Sequence, residues 1–407
     1  MRYARLLLTL TVLLGPRFAV AVEEIHTEED IADLLATPPP SPEETKGRQW
    51  AVLPQIGFGP DTGAVGGVKF THRNLGDLGV TLDVDGTAAL NGQKDYKVVV
   101  GTPHLLDDRF LTLFRVRYYY DPEQEFFGVG DNDVGPDPAS THSFEQYEGE
   151  LTAGWRPWRR LALNFTAAIR HVRIGRGDKF DDPPRPATID AFPGLPGVHG
   201  GFVNPLGFSL VYTTRDEVLR PTHGWRAIFK VSHTNKALES DFQFTRIDAD
   251  LGYLHSFWHG KHVLGARLNG GFIDGPRRDV PFWELERLGG DDTLRGFFPR
   301  RFLGTQRVFL NLEYRFPIYD FNFLDIWQVS IGGVAFGEAG RVFTSTTNLR
   351  NEFELNKSIV DRVVSDLQYS YGGGLRIALS QALVARIDIG FSDEEKGLVY
   401  LAFGQAF

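Results

Sequence analysis

From Gln49 onward the chain alternates between apolar and polar positions. In 110–120 the even positions are Phe110, Thr112, Phe114, Val116, Tyr118 and Tyr120, while Arg115 and Arg117 fall on the other face. In 307–316, Val308, Leu310, Leu312, Tyr314 and Phe316 oppose Arg307, Asn311, Glu313 and Arg315. Thr245, Ile247, Ala249, Leu251 and Tyr253 oppose Arg246, Asp248 and Asp250; Leu383, Ala385, Ile387, Ile389 and Phe391 oppose Arg386 and Asp388. A period of two is that of a β-strand, whose successive side chains point to opposite faces. Turn signals between such segments place strands near 49–58, 63–73, 78–91, 94–104, 108–121, 142–157, 159–175, 204–215, 223–236, 240–257, 260–274, 305–317, 326–343, 367–380, 382–392 and 397–407. That makes sixteen, and an even number closes an antiparallel barrel.

A soluble sandwich also buries alternate residues, so alternation alone leaves two architectures open. Length separates them. Many of these segments run to roughly 10 to 14 residues, against about 5 to 6 for soluble strands and about 9 to 11 for a tilted membrane strand. Aromatic residues also gather at strand ends (Trp50, Trp155, Trp158, Trp225, Trp258, Trp327), as girdles at a lipid interface do. The expectation is all-β: a sixteen-stranded antiparallel transmembrane barrel of a bacterial outer membrane, occupying 49–407. Arg156–Arg159 and His259–Gly260 read as short periplasmic turns, and 122–141, 176–203, 275–304 and 344–366 as long extracellular loops. Closure leaves no sheet edge whose unpaired backbone would face lipid.

Composition narrows this further. Residues 1–21 read as a secretory signal, with basic Arg2 and Arg5, an apolar core from Leu6 to Leu14, and Ala19-Val-Ala21 as the cleavage region. Residues 22–48 are acidic and proline-rich and read as a flexible periplasmic segment with one short helix around Glu28–Leu35. Past the signal no run of about 18 apolar residues occurs, which argues against a helical span. The absence of cysteine excludes a lipoprotein anchor, disulfides and thiolate metal sites. The 45 glycines, 32 phenylalanines and single methionine suit twisted strands, and a net charge of -9 argues against nucleic acid as a partner.

Conventional catalytic constellations are sparse. His255, His259 and His262 surround an expected turn with Phe257 and Trp258, and read as interfacial residues rather than metal ligands. Asp131–Asp137 hints at a calcium loop, but glycine and proline fall where that loop needs an oxygen ligand and then glycine. No nucleophile elbow, phosphate loop or HExxH motif is present. No enzymatic activity, metal or cofactor is expected. The inward charges Arg115, Arg117, Arg246, Asp248, Asp250, Arg386 and Asp388 read as a hydrated network along the strands rather than an ion-selectivity ring.

The run Leu288-Gly-Gly-Asp-Asp-Thr-Leu-Arg-Gly-Phe297 stands out, because it places an arginine between a glycine-rich approach and an aromatic inside a long polar stretch. Leu294, Arg295, Gly296 and Phe297 resemble the arginine-glycine-aromatic motif on the sixth extracellular loop of the BamA/TamA-type surface-antigen superfamily. Ala335-Phe-Gly-Glu-Ala-Gly-Arg-Val342 is similar to the family strand that supplies an acid to that arginine, which makes Glu338 the partner of Arg295; the family usually has aspartate there. Thr214-Arg-Asp216 with Pro221, Gly224 and Trp225 resembles a family strand and turn, with Thr213 where aspartate is common. Leu401-Ala-Phe-Gly-Gln-Ala-Phe407 is similar to a terminal assembly-signal strand, carried by Leu401, Phe403, Gly404 and Phe407. Phe126-Phe-Gly-Val-Gly130 is a weaker echo.

The resemblance implies a sixth loop folded into the lumen and latched by Arg295 to Glu338. With partial water access, truncating either partner is expected to cost about 2 to 4 kcal/mol. The implied role is outer-membrane biogenesis, the insertion or translocation of protein or lipid by the barrel itself at a weak seam between first and last strands. Implied partners are outer-membrane lipids and the assembly machinery that inserts the barrel. Family members that handle proteins carry periplasmic transport-associated repeats, for which 22–48 is too short, so a separate periplasmic partner is also implied. Two alternatives stay open: a passive channel for small solutes, and a surface receptor built from the long loops.

Overall fold

A computed structural model of the chain describes residues 49–76, 78–106, 109–130, 137–177, 185–217, 220–323, 327–343, 367–379 and 383–403. The expected signal, the segment 22–48, the aspartates of the calcium-like run before Asp137, and Gly404 and Phe407 lie outside the described residues, as does the side chain of Phe403.

Sixteen strands form one closed antiparallel barrel. They are β1 (Trp50–Gly59), β2 (Gly63–Leu75), β3 (Val80–Ala89), β4 (Lys94–Leu105), β5 (Phe110–Phe126), β6 (Ser140–Trp158), β7 (Leu161–Arg176) and β8 (Gly201–Val203 continued by Pro205–Thr213). The second half comprises β9 (Gly224–Thr234), β10 (Phe244–Phe257), β11 (His262–Asp274), β12 (Gln306–Phe323), β13 (Trp327–Phe343), β14 (Gln368–Leu379), β15 (Leu383–Phe391) and β16 (Leu398–Phe403). Each strand pairs with its neighbours in sequence, and β16 returns to β1, where Phe58 stands opposite Leu401.

Three local departures from the sequence reading have physical causes. β8 is interrupted at Asn204, whose side chain accepts from the Arg170 backbone N–H of β7 at 3.4 Å and donates to the Leu238 carbonyl at 2.8 Å. β12 continues to Phe323 rather than ending at 317, across a register shift between Pro317 and Tyr319, because proline has no N–H for the ladder. β6 runs on to Trp158 across a register shift between Trp155 and Trp158, where Pro157 has no N–H for the ladder, so the reversal falls at 159–160 rather than over 156–159.

The alternation maps onto the wall. Phe114, Val116, Leu312 and Ile389 are exposed on the outer face, while Glu313 and Asp388 on the inner face are buried. Trp50, Trp155, Trp158, Trp225 and Trp258 are all exposed and cluster at the end of the barrel that carries the short turns, as interfacial anchors do. The inner face is not uniformly charged. Leu111 and Leu113 share it with Arg115 and Arg117, and pack with Val99, Ala162, Val211 and Ile228 in one apolar belt near the short-turn end.

Candidate functional site

The connection between β11 and β12, residues 275–305, carries the arginine-glycine-aromatic run. Within it Glu286–Leu288 pairs with Phe302–Gly304 as a small hairpin. Gly289 and Gly290 follow at φ +105° and +103°, a backbone region that side chains with a Cβ rarely adopt, and send the chain into a tight excursion. That excursion brings Leu294 and Phe297, both 0% exposed, onto Phe309 of β12 and Val342 of β13, with Leu288 and Phe302 completing the apolar cluster.

Arg295 is itself fully buried, and its guanidinium divides among three carboxylates on three strands. Nε donates to Glu338 Oε1 at 2.7 Å, Nη2 to Glu313 Oε1 at 2.9 Å and Nη1 to Asp388 Oδ2 at 3.0 Å. Its backbone N–H donates to the other Glu338 oxygen at 2.7 Å, and the guanidinium carbon lies 3.4 Å from the centroid of the Phe336 ring. Glu338 is held in turn by Asn311 Nδ2 at 2.8 Å and Ser370 Oγ at 2.5 Å. Arg315 pairs with Glu313 at 2.9 Å and Arg376 with Asp388 at 2.5 Å. Three cations therefore face three anions, so the cluster is electrically balanced. Burial opposes the charge on Arg295, but Glu338, Glu313 and Asp388 outweigh it and hold its pKa above the ordinary arginine value.

Backbone contact is as close as the ionic contact. A Cβ on Gly296 would lie 2.3 Å from the Phe391 carbonyl oxygen, and one on Gly390 would lie 2.2 Å from that of Arg295. The loop thus rests directly on β15, where only glycine fits on either side. Ser392 Oγ donates to the Gly296 carbonyl at 2.7 Å, and the Tyr400 hydroxyl of β16 to that of Phe297 at 3.1 Å. Gly390→Val is expected to unseat the loop at a cost of about 1 to 3 kcal/mol, the usual range for overpacking. Limited proteolysis of the folded barrel checks this: cleavage within 289–301 should appear in the variant and not in the parent.

The structure brings Leu294, Arg295, Gly296, Phe297 and Glu338 together. Sequence reasoning missed Glu313 and Asp388 as partners of Arg295. Their signal was present, since each is an inward carboxylate in an alternating strand, but nothing in one strand says which loop residue will meet it. Leu401 pairs with Ile387 of β15 as well as Phe58. In the Thr214–Trp225 turn, Asp216 accepts from the backbone of Thr222 and His223 at 2.9 and 3.1 Å, and Trp225 N–H donates to Thr214 Oγ1 at 2.8 Å. Gly130 of the weaker echo donates its N–H to the Leu303 carbonyl at 2.9 Å, against the hairpin. His262 sits among the rings of Phe257, Trp258 and Tyr314, and no metal-binding group of three or more His, Asp or Glu occurs among the described residues.

A model of the Omp85 superfamily domain matches residues 202–407, from β8 through β16 with the arginine-glycine-aromatic run and Glu338. Among solved structures, BamA from Haemophilus ducreyi lacking POTRA domains 1-3 aligns with a TM-score of 0.62 at 15% identity, covering 88% of this chain and 70% of that one. CdiB from Escherichia coli aligns at 0.57 and 12% identity, covering 86% and 62%, so the chain spans less than two thirds of that relative. CdiB from Acinetobacter baumannii aligns at 0.53 and 12%, covering 94% and 72%. At such identities the likeness to these structures is one of fold. No curated protein matches the chain in sequence.

Proposed function

The chain belongs to the Omp85 superfamily, and from that premise we propose that it acts in outer-membrane biogenesis, inserting or translocating protein or lipid through the barrel itself. The site of action is the seam between β1 and β16. The observation that carries this reading is an asymmetry in pairing. β16 runs in register with β15 from Leu398 to Phe403, and β1 with β2 from Trp50 to Gly59, yet between β1 and β16 the described register is Phe58 opposite Leu401. Among the described residues, which end at Phe403, this is the shortest pairing between neighbouring strands of the wall, and it supports reading the seam as the place that parts to offer free edges to an incoming strand or lipid.

The latched loop lies next to that seam, since Tyr400 of β16 bonds to Phe297. The protein works in the outer membrane of a bacterial cell with its lipids as immediate partners. It relies on the assembly machinery for its own insertion.

A passive channel is the competing reading, and the loop speaks against it. Its residues touch β5 to β7 on one side of the lumen and β12 to β15 on the other. Two measurements separate the readings. Liposomes containing the protein should fold an eight-stranded reporter barrel faster than empty liposomes, and planar bilayers containing it should stay closed. Steady conductance with no acceleration of the reporter would transfer the assignment to a channel.

A further inference from the structure

The first half of the same loop has its own attachment, on β7, β10 and β12 rather than on the β12, β13 and β15 that hold Arg295. Glu284 and Glu286, both buried, meet three arginines from three strands. Arg170 of β7 pairs with Glu284, and Arg246 of β10 reaches both Glu284 and Glu286 at 3.3 Å. Arg307 of β12 reaches Glu286 at 3.4 Å and donates to the Arg287 carbonyl at 3.2 Å. The wall is shaped for these carboxylates, because a Cβ at Gly271 would lie 2.2 Å from Glu286 Oε2. Just before them in the chain, Phe282 packs edge-on to Phe126 at 5.4 Å, and Trp283 donates to the Gly197 carbonyl at 3.1 Å.

We propose that Glu284 and Glu286 form a second clamp on the loop, independent of Arg295 and of reversed polarity, with loop carboxylates gripped by wall arginines, and that this clamp releases first. Independence follows from geometry: the two ion-pair systems share no residue and stand on different strands, apart from β12, which serves both. The order follows from solvation. The side chains of Arg170, Arg246 and Arg307 are 22%, 25% and 15% exposed, against 0% for Arg295. Partly hydrated pairs are weakened by salt and by competing charges, whereas dry ones are shielded from both. The loop therefore opens as a two-stage catch, from residues 280–288 toward 294–297. This inference concerns the loop alone and does not depend on the biogenesis reading.

The absence of native cysteine makes the test direct. Single cysteines at Leu285 and, separately, Leu294 report local opening through their maleimide labelling rate in the full-length refolded barrel, with heat-modifiable gel mobility confirming closure. Glu284→Gln with Glu286→Gln should speed labelling at position 285 by more than about tenfold and leave position 294 protected. Arg295→Ala should do the reverse. In the otherwise unmutated protein, 1 M KCl, where the Debye length falls to about 3 Å, should speed labelling at 285 before 294. Equal deprotection of both positions by either change would overturn the proposal, as would a 285 site unmoved by loss of both carboxylates. The isosteric glutamine pair and the salt titration keep the test valid if Arg295→Ala fails to fold.

Discussion

Replacing Arg295 with alanine is expected to lower the stability of the loop-seated barrel by about 3 to 5 kcal/mol, the range for breaking a buried ion pair by removing one partner. Charge balance is the reason. Arg295, Arg315 and Arg376 neutralise Glu313, Glu338 and Asp388, and removing the first leaves one uncompensated charge among three buried carboxylates. Burial of Arg295 among three carboxylates, rather than partial hydration beside one, places this cost above the range expected from sequence. Arg295→Lys keeps the charge but not the fork. Its single ammonium cannot serve carboxylates on β12, β13 and β15 with the same geometry, nor lie flat on Phe336. It should lose roughly 1.5 to 3 kcal/mol, the worth of about one hydrogen bond to a charged group. Urea midpoints of the refolded barrels, followed by gel mobility, should fall in the order parent, lysine, alanine; equal midpoints for alanine and parent would remove the ionic account of the latch.

The second large effect concerns the seam. Phe58 and Leu401 are directly opposed on antiparallel strands, where Cα atoms stand about 4.5 to 5.5 Å apart, within reach of a disulfide. Phe58→Cys with Leu401→Cys in a chain without other cysteine gives one possible bridge. Oxidation should leave the barrel folded yet slow its assisted insertion of a reporter by more than about tenfold, equivalent to ~1.4 kcal/mol on the barrier. A matched control exists in Ile387→Cys with Leu401→Cys, which bridges β15 and β16 along a ladder already paired through its described length. That bridge should leave the activity unchanged. The contrast isolates seam opening from any general stiffening of the wall.

Much of the fold was legible because a membrane barrel imposes its pattern on every strand. One face must suit lipid, the other water or packed polar groups, and each strand must be long enough to cross, so Phe114 against Arg115 or Leu312 against Glu313 carries the same message wherever it occurs. What was not legible depends on contacts between strands distant in sequence. Asp388 reads as one more inward charge until β15 is placed beside Arg295, and nothing in the local sequence singles out Glu284 and Glu286 until Arg170, Arg246 and Arg307 are placed around them. Leu111 and Leu113 occupy positions that alternation assigns to the inner face. Only the closed barrel shows that part of this face is an apolar belt. Arg295 itself was picked out by family resemblance and by its setting between glycines and an aromatic, whereas its three-way partnership required the structure.

The most direct test of the central claim, that the barrel acts through its β1–β16 seam, is one preparation of the Phe58→Cys, Leu401→Cys protein in liposomes, assayed for reporter-barrel folding before oxidation, after oxidation and after reduction. The account predicts acceleration, loss and recovery in that order, with heat-modifiable mobility unchanged throughout. A cross-linked barrel that still accelerates reporter folding as well as its reduced form would contradict it.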